Sequence, residues 1–165
     1  MTTIEEYAKQ PVEQRFERMR RMPDEIADAI RGRSDEALSK RPAEKDWAAK
    51  EVICHLRDVE EIYLIRARTM LDNDEPRIFA DPTAIDRMAE HRQYSRSDAS
   101  DALKAFRWWR EESLGFLRGL TPAERNRGCI HPTRGRLTID GFVTMLAWHD
   151  DNHLDQLIRA LDGRA

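Results

Sequence analysis

Two histidines near the C-terminal end, His149 and His153, have the residue type and spacing of metal ligands. They are four residues apart in a segment whose apolar residues repeat at helical spacing, so their Cβ atoms should lie about 6 Å apart on one face. That separation lets two imidazoles bind one ion, as in helical H-E-x-x-H sites, although the glutamate of that motif is absent here. Taken alone, the pair is also compatible with two hydrogen-bonded or partly exposed histidines.

A third histidine favours the metal interpretation. His55 falls between Val52 and Val59 on the apolar stripe of an earlier predicted helix. A lone histidine on such a stripe is usually a core residue with a satisfied hydrogen bond. Burying three imidazoles costs solvation three times, and one ion that accepts a lone pair from each offsets that cost. The spacing therefore predicts a divalent metal site at His55, His149 and His153, with zinc or nickel as the expected ion.

Three neutral imidazoles leave at least one position open on the ion, which is typical of catalytic sites. Water there loses a proton near neutral pH, and a thiol is held as thiolate. The alternative is a non-catalytic stress or structural protein in which the metal only joins two helices. A general base is left open among Asp150, Asp151 and Asp155. We expect Asp150 and Asp151 to form a solvated face or to accept from a histidine N–H.

Other reactive residues give weaker predictions. Cys54 adjoins His55 but points about 100° away on a helix, so we expect it to pack as a small apolar residue. Cys129 and His131 share a segment with glycine and proline, which predicts ordinary loop residues or, alternatively, a lid or a single metal contact. His91 is predicted to lie at the surface.

Two further features concern the surface. A basic run in the first predicted helix is balanced by nearby acids, and we expect it to be a solvated face: Arg15, Arg18, Arg20 and Arg21. Trp108 and Trp109 are adjacent on a helix and cannot both face one core. One of them is expected at a homodimer surface or at the edge of the helix packing, and both interpretations stay open.

Helical periodicity recurs in four long segments, approximately 12–31, 47–71, 97–120 and 138–161. No sustained alternation of the strand type occurs, so no strands are predicted. The connection over 72–96 is too long for a tight turn and indicates a crossover. These patterns predict an all-α fold, a four-helix bundle with a long crossover connection between helices two and three.

Helix boundaries are predicted from capping residues and prolines. Asp46, Ser97 and Thr138 are the expected N-caps of the last three long helices, and Asp81–Pro82 should start a short helix in the connection. Pro23 should kink or break the first helix. Asp24 and Glu25 would then fall in the first turn of a restarted helix. Ser34 should cap a short turn of helix before Pro42.

The chain of 165 residues, 40% hydrophobic and 36% charged, fits a single domain over residues 1–165. Its formal net charge of −3 argues against nucleic acid as a partner. No apolar run approaches the roughly 20 residues of a membrane helix, and the N-terminus has no signal-peptide pattern. Two cysteines make no disulfide framework. We therefore expect a cytoplasmic protein without a membrane partner.

Two stretches of the sequence together resemble the DinB-like superfamily. They are DWAAKEVICHLRDVEEIYLIRARTML and HPTRGRLTIDGFVTMLAWHDDNHLDQLIRAL, and the resemblance extends over approximately residues 20–161. It implies a four-helix bundle that binds a divalent metal through one histidine of the second helix and two of the fourth. Those positions are His55, His149 and His153 in this chain. Many members have Ser or Thr where this chain has Ala48, which removes the hydroxyl half of a capping box with Glu51.

The same resemblance implies an activity. Several DinB-like proteins are transferases or isomerases that use low-molecular-weight thiols, and others have no established reaction. The resemblance therefore implies a metal-dependent thiol transferase or hydrolase that acts on a small-molecule substrate.

Overall fold

Helices make up most of the structure, a computed structural model that describes residues 2–79 and 84–164, without the side chains of residues 85 and 86. Within these residues the elements are α1 (Ile4–Lys9), α2 (Val12–Ile30), α3 (Asp35–Ser39), α4 (Ala49–Asp72), α5 (Ala84–His91), a 3₁₀ turn (Tyr94–Arg96), α6 (Ala99–Gly119), α7 (Pro122–Arg125), β1 (Gly128–His131), β2 (Gly135–Thr138) and α8 (Ile139–Leu161). The four long helices α2, α4, α6 and α8 pack on one another. The predicted four-helix bundle is confirmed. None of the described helices is long and apolar enough to span a membrane.

Two N-caps differ from the prediction. The first residue of α4 is Ala49, so Ala48 and not Asp46 is the cap, and the Glu51 carboxylate accepts a hydrogen bond of 2.9 Å from the Ala48 amide. The acidic half of the capping box therefore persists without the hydroxyl half. Asp98, not Ser97, caps α6. The predicted Ser34 cap of α3 is confirmed, since its hydroxyl accepts from the amide of Ala37.

Pro23 does not break α2, which is helical from Val12 to Ile30. The restarted helix predicted at Asp24 is therefore wrong. Met19, Met22 and Ile26 are fully buried on both sides of the proline. Their burial in the bundle core stabilises the helix across the missing amide, because tertiary packing supplies most helical stability in proteins. The cap predicted at Asp81–Pro82 lies outside the described residues.

The basic run in α2 is only partly a solvated face. Arg15 and Arg18 are 5% and 6% exposed, so the prediction is wrong for both. Arg15 pairs with Asp140 at 3.0 Å, and Arg18 pairs with Glu25 and Asp151. Their partners Asp140 and Asp151 belong to α8, so these ion pairs join the first and last long helices.

A polar layer separates two apolar clusters in the bundle core. Along α6, Phe106 belongs to one cluster and Leu114 to the other, with Arg110 between them. Arg110 is 2% exposed and forms ion pairs with Glu60 of α4 and Asp150 of α8 at 2.8 and 2.5 Å. Three of the four long helices therefore share a buried charge network at the same level.

A β-hairpin precedes α8, and the prediction of no strands is wrong at this position. β1 and β2 are antiparallel, with Cys129 opposite Leu137. A Cβ at Gly128 would lie 2.7 Å from the Leu137 carbonyl oxygen, so the close crossing requires glycine. Ile130 exchanges backbone hydrogen bonds with Pro76 and Ile78, which ties the hairpin to the segment after α4. Strands of four residues are too short to produce a clear alternating pattern.

Candidate metal centre

The last helix places two of the predicted ligands. Thr138 caps α8 as expected, with its hydroxyl accepting from the Gly141 amide at 3.0 Å. His149 and His153 follow on one face of this helix, and their ring centroids are 4.1 Å apart. The i, i+4 spacing therefore produces the predicted stacking of two imidazoles.

Helix α4 brings the third histidine to this pair. The side chain of His55 is buried, and its ring centroid lies 5.1 Å from that of His149 and 4.6 Å from that of His153. The Nε2 atoms of His55 and His149 are 3.1 Å apart. One ring nitrogen from each of the three residues lies within 4.8 Å of the others. The structure therefore brings together all three residues singled out in the sequence.

This geometry fits a metal ion. Two nitrogens bound at about 2.05 Å to one tetrahedral ion are about 3.3 Å apart, close to the separation of the His55 and His149 nitrogens. The Nδ1 atom of His153 lies 2.7 Å from Oε1 of Gln156. An amide oxygen only accepts, so Nδ1 donates and the lone pair of His153 stays on Nε2. Gln156 thus orients the ring in the tautomer that a metal requires.

The electrostatics favour neutral imidazoles. Burial, with a smaller effect of His153, lowers the pKa of His55 to about 3. Burial also holds the pKa of His149 well below its ordinary value and lowers that of His153 against the Gln156 bond. All three rings therefore carry a lone pair at neutral pH, which is the protonation state that metal binding needs.

The carboxylates near the histidines are in ion pairs. Asp150 is fully buried and accepts two hydrogen bonds from Arg110, at 2.5 and 2.9 Å, so its predicted place on a solvated face is wrong. Asp151 accepts from Arg18 and, at 2.6 Å, from the hydroxyl of Tyr7. Asp155 pairs with Arg159. Within the described residues, Nδ1 of His55 and of His149 is buried with no hydrogen-bond partner, so the predicted acceptance from those two rings is absent.

A cavity of about 340 Å³ lies beside the histidines and has His55 and His149 in its wall. Most of its lining is apolar, and Tyr63, Phe142 and Trp148 contribute aromatic surface. This volume and composition are typical of a small-molecule site. A molecule that contacts His55 and His149 in this cavity would be adjacent to any ion held by the histidines.

The weaker candidates divide between the core, the surface and the cavity. Cys54 is completely buried, as predicted, and so is Cys129. Cys129 and His131 lie on β1 and not in a loop, and His131 lines the cavity. His91 is exposed, as predicted. Trp108 is 53% exposed and packs edge-on against Trp109.

Sequence reasoning missed two contributors to the site. Trp47 packs against His55, with ring centroids 5.0 Å apart, and Arg66 lines the cavity three turns beyond His55 on α4. Arg66 was detectable in principle, since it lies one turn beyond Ile62 on the side of α4 that lines the cavity. The contact of Trp47 depends on the path of the chain before α4, for which the sequence carries no signal.

Known proteins are similar to this chain in sequence or in fold. Over 140 residues the chain is 20% identical to an Oceanobacillus iheyensis protein provisionally named metal-dependent hydrolase OB0413, with 85% of this chain and 79% of that protein covered. YfiT from Bacillus subtilis, described as "a probable metal-dependent hydrolase with an unusual four-helix bundle topology", superposes with a TM-score of 0.84 and 21% identity over 95% of this chain and 90% of YfiT.

A second solved structure is the mycothiol-dependent maleylpyruvate isomerase. It superposes with a TM-score of 0.72 and 13% identity, over 95% of this chain and 63% of the isomerase. At these identities the two solved structures establish the fold. The sequence profile of the DinB superfamily matches residues 15–157, and the chain belongs to that superfamily.

Proposed function

We propose that this protein is a divalent-metal-dependent hydrolase in which His55, His149 and His153 hold the ion and the adjacent cavity holds a small-molecule substrate. The observation that carries the proposal is the convergence of three neutral imidazoles, two of which line a mostly apolar cavity. A structural site would be closed by a fourth protein ligand. Among the described residues, the cluster consists of the three histidines alone.

The residues of the chain have separate tasks in this proposal. A bound divalent ion supplies Lewis acidity and lowers the pKa of water or of a thiol at its open position. The histidines offer lone pairs without adding charge, and Gln156 fixes the ring of His153. The apolar walls exclude bulk water, which strengthens electrostatic interactions with the substrate. Zinc and nickel are the proposed ions because imidazole suits both.

Low-molecular-weight thiol chemistry is the second candidate. The structural similarity to a mycothiol-dependent isomerase favours it, because a protein of the same fold is named for its dependence on a thiol. Hydrolysis takes precedence because the relative from Oceanobacillus iheyensis and YfiT both have hydrolase in their descriptions. The two candidates use the same three histidines.

Metal analysis tests the ligand set first. Untagged protein is stripped with a chelator, incubated with zinc or nickel, desalted and measured by mass spectrometry of the metal. We expect one ion per chain for the wild type and for the control His91→Ala, whose histidine is exposed on α5. His149→Ala and His55→Ala should lose tight binding. Wild-type occupancy in both ligand variants would refute the proposed site.

Turnover distinguishes an enzyme from a structural metal protein. Loaded wild type and His149→Ala are assayed against a panel of esters and amides, with and without glutathione, bacillithiol or mycothiol. We expect hydrolysis that requires the metal, and dependence on a thiol would select the second candidate. If the metal raises the melting temperature but no substrate turns over, the metal has the structural role only.

A further inference from the structure

The cavity beside the histidines carries three basic side chains in its wall, Arg66, Arg134 and His131. Arg66 and His55 are eleven residues apart on α4, which places their Cα atoms about 16 Å apart along the helix axis. His131 is the last residue of β1, and Arg134 lies in the turn after it. Arg66 therefore lines the cavity about three turns of α4 away from His55, and we call the part of the cavity near Arg66 its basic end.

The basic side chains are close enough to influence one another. Besides burial, the charges of Arg134 and Arg66 lower the pKa of His131. The same two charges oppose the rise in the pKa of Tyr63 that burial causes. The positive charge is thus concentrated around one end of the cavity.

Carboxylates do not balance this charge in the part of the chain that the structure describes. None of the described lining residues is Asp or Glu, and neither Arg66 nor Arg134 has an ion pair there. Arg66 donates one hydrogen bond of 3.0 Å to the Phe79 carbonyl oxygen. Arg136, on the neighbouring strand, is instead paired with Glu75.

His131 adds a neutral donor to this group. Its Nδ1 atom accepts hydrogen bonds of 3.2 Å from the backbone amides of Thr133 and Arg134. Because Nδ1 is the acceptor, the proton of the neutral ring is on Nε2. The hairpin turn therefore presents a ring N–H from the same residue that lines the cavity.

We propose that this end of the cavity binds the carboxylate of an otherwise apolar substrate, with Arg66, Arg134 and His131 as hydrogen-bond donors. The inference rests on the function proposed above and specifies its substrate class. Guanidinium groups match the planar, two-oxygen geometry of a carboxylate. The apolar walls accommodate a hydrocarbon chain or ring. The reacting group of such a substrate then lies at the far end, next to the histidines.

Binding of octanoate and of its uncharged analogue octanamide tests this proposal by calorimetry. Both ligands are measured on metal-loaded and on chelator-stripped protein. We expect octanoate to bind at least about tenfold more tightly than octanamide in both forms, because a charge-assisted hydrogen bond contributes enough for that ratio. Arg66→Gln and Arg134→Gln should each abolish most of the preference, because they weaken octanoate binding much more than octanamide binding. Arg136→Gln is the matched control and should preserve the preference.

Several outcomes would overturn the proposal. These are equal affinity for the two ligands, no binding of either at millimolar concentration, or an octanoate preference that survives both arginine substitutions. Octanoate binding that needs the metal and ignores the arginines would place the carboxylate on the ion, which refutes this inference but keeps the metal site. An arginine-dependent preference in a protein that fails to bind metal would support the inference and refute the proposed function. Arg66→Lys keeps the positive charge and loses the planar guanidinium group, so it should retain part of the preference even if Arg66→Gln folds poorly.

Discussion

Replacement of Arg110 by methionine should strongly destabilise the metal-free protein. Arg110 is 2% exposed, and its carboxylate partners Glu60 and Asp150 are 1% and 0% exposed. Methionine fills much of the space but leaves two buried carboxylates without their cation. Removal of one partner from a buried pair costs about 3–5 kcal/mol of unfolding free energy. The backbone carbonyl of Met19 also loses its hydrogen bond of 2.6 Å from Arg110.

The pH dependence gives this prediction a second signature. Burial raises the pKa of Glu60, and the charge of Arg110 opposes that rise. Without Arg110 the folded-state pKa of Glu60 rises further above the unfolded value. A raised folded-state pKa stabilises the fold below the unfolded pKa, and this contribution is lost as the pH increases through the folded pKa. The cost of Arg110→Met should therefore be larger at pH 8 than at pH 5.

Urea denaturation followed by circular dichroism, with chelator present, measures both effects. Arg107→Met is the matched control, because Arg107 lies on the same helix and pairs with Asp24 where the side chains are 42% and 62% exposed. Such an exposed pair contributes little, so the control should unfold almost like the wild type. A loss below about 1 kcal/mol for Arg110→Met would show that the buried network contributes far less than its geometry implies.

Three further outcomes follow from the site and its surroundings. In metal-free protein, the pKa of His55 is about 3 in the folded state and about 6.5 in the unfolded state. The contribution of this difference to the free energy of unfolding is fully present above pH 6.5 and is lost as the pH falls toward 3. Relative to His55→Leu, the unfolding free energy of the wild type should fall by about 1.4 kcal/mol per pH unit in that window. The same pH dependence of unfolding free energy for both proteins, measured by urea denaturation, would contradict this. Gln156→Leu should weaken zinc affinity about 10- to 100-fold in a chelator competition, because His153 loses the acceptor that orients its ring. Unchanged affinity would show that Gln156 does not contribute to zinc binding. Cys54 and Cys129 are buried with raised thiol pKa values, so both should react with a thiol reagent only in denaturant, and rapid reaction in native buffer would disprove their burial.

The histidine cluster could be predicted because it depends largely on local geometry. The spacing of His149 and His153 determines their relation on one helix, and the position of His55 between two valines indicates an inward side chain. The four long helices were predictable for the same reason, since each shows its own apolar stripe. The packing of α4 against α8 brings the three histidines together, and it is the packing that the resemblance implies.

The errors concern charges whose partners are distant in sequence. Arg15 and Arg18 looked like a solvated face because neighbouring acids balance them, yet their partners in α8 lie 125 and 133 residues away. Asp150 lies off the inward stripe of its own helix, which predicts a solvated face or acceptance from a histidine N–H, and nothing in that helix indicates Arg110. Burial of a charged residue depends on a partner in another element, and one sequence does not reveal that pairing.

The hairpin was missed for a different reason. Its strands have four residues each, and the backbone pairing of Ile130 with Pro76 and Ile78 stabilises them from another part of the chain. Gly135, with φ of +71°, marked a turn but not the strands on either side of it.

The attachment of this hairpin places two of the three proposed carboxylate donors outside the four-helix bundle. The histidines are anchored in two long helices, whereas His131 and Arg134 belong to a short appendage held by backbone hydrogen bonds to residues 76–78. Exchanging residues 132–134 for a turn of another length would change the position of Arg134 in the cavity wall and leave the helices that carry the imidazoles in place. Under the proposed function, the substrate preference could thus change through a handful of surface residues without any change in the histidine cluster. For protein engineering, this appendage is the first place to randomise.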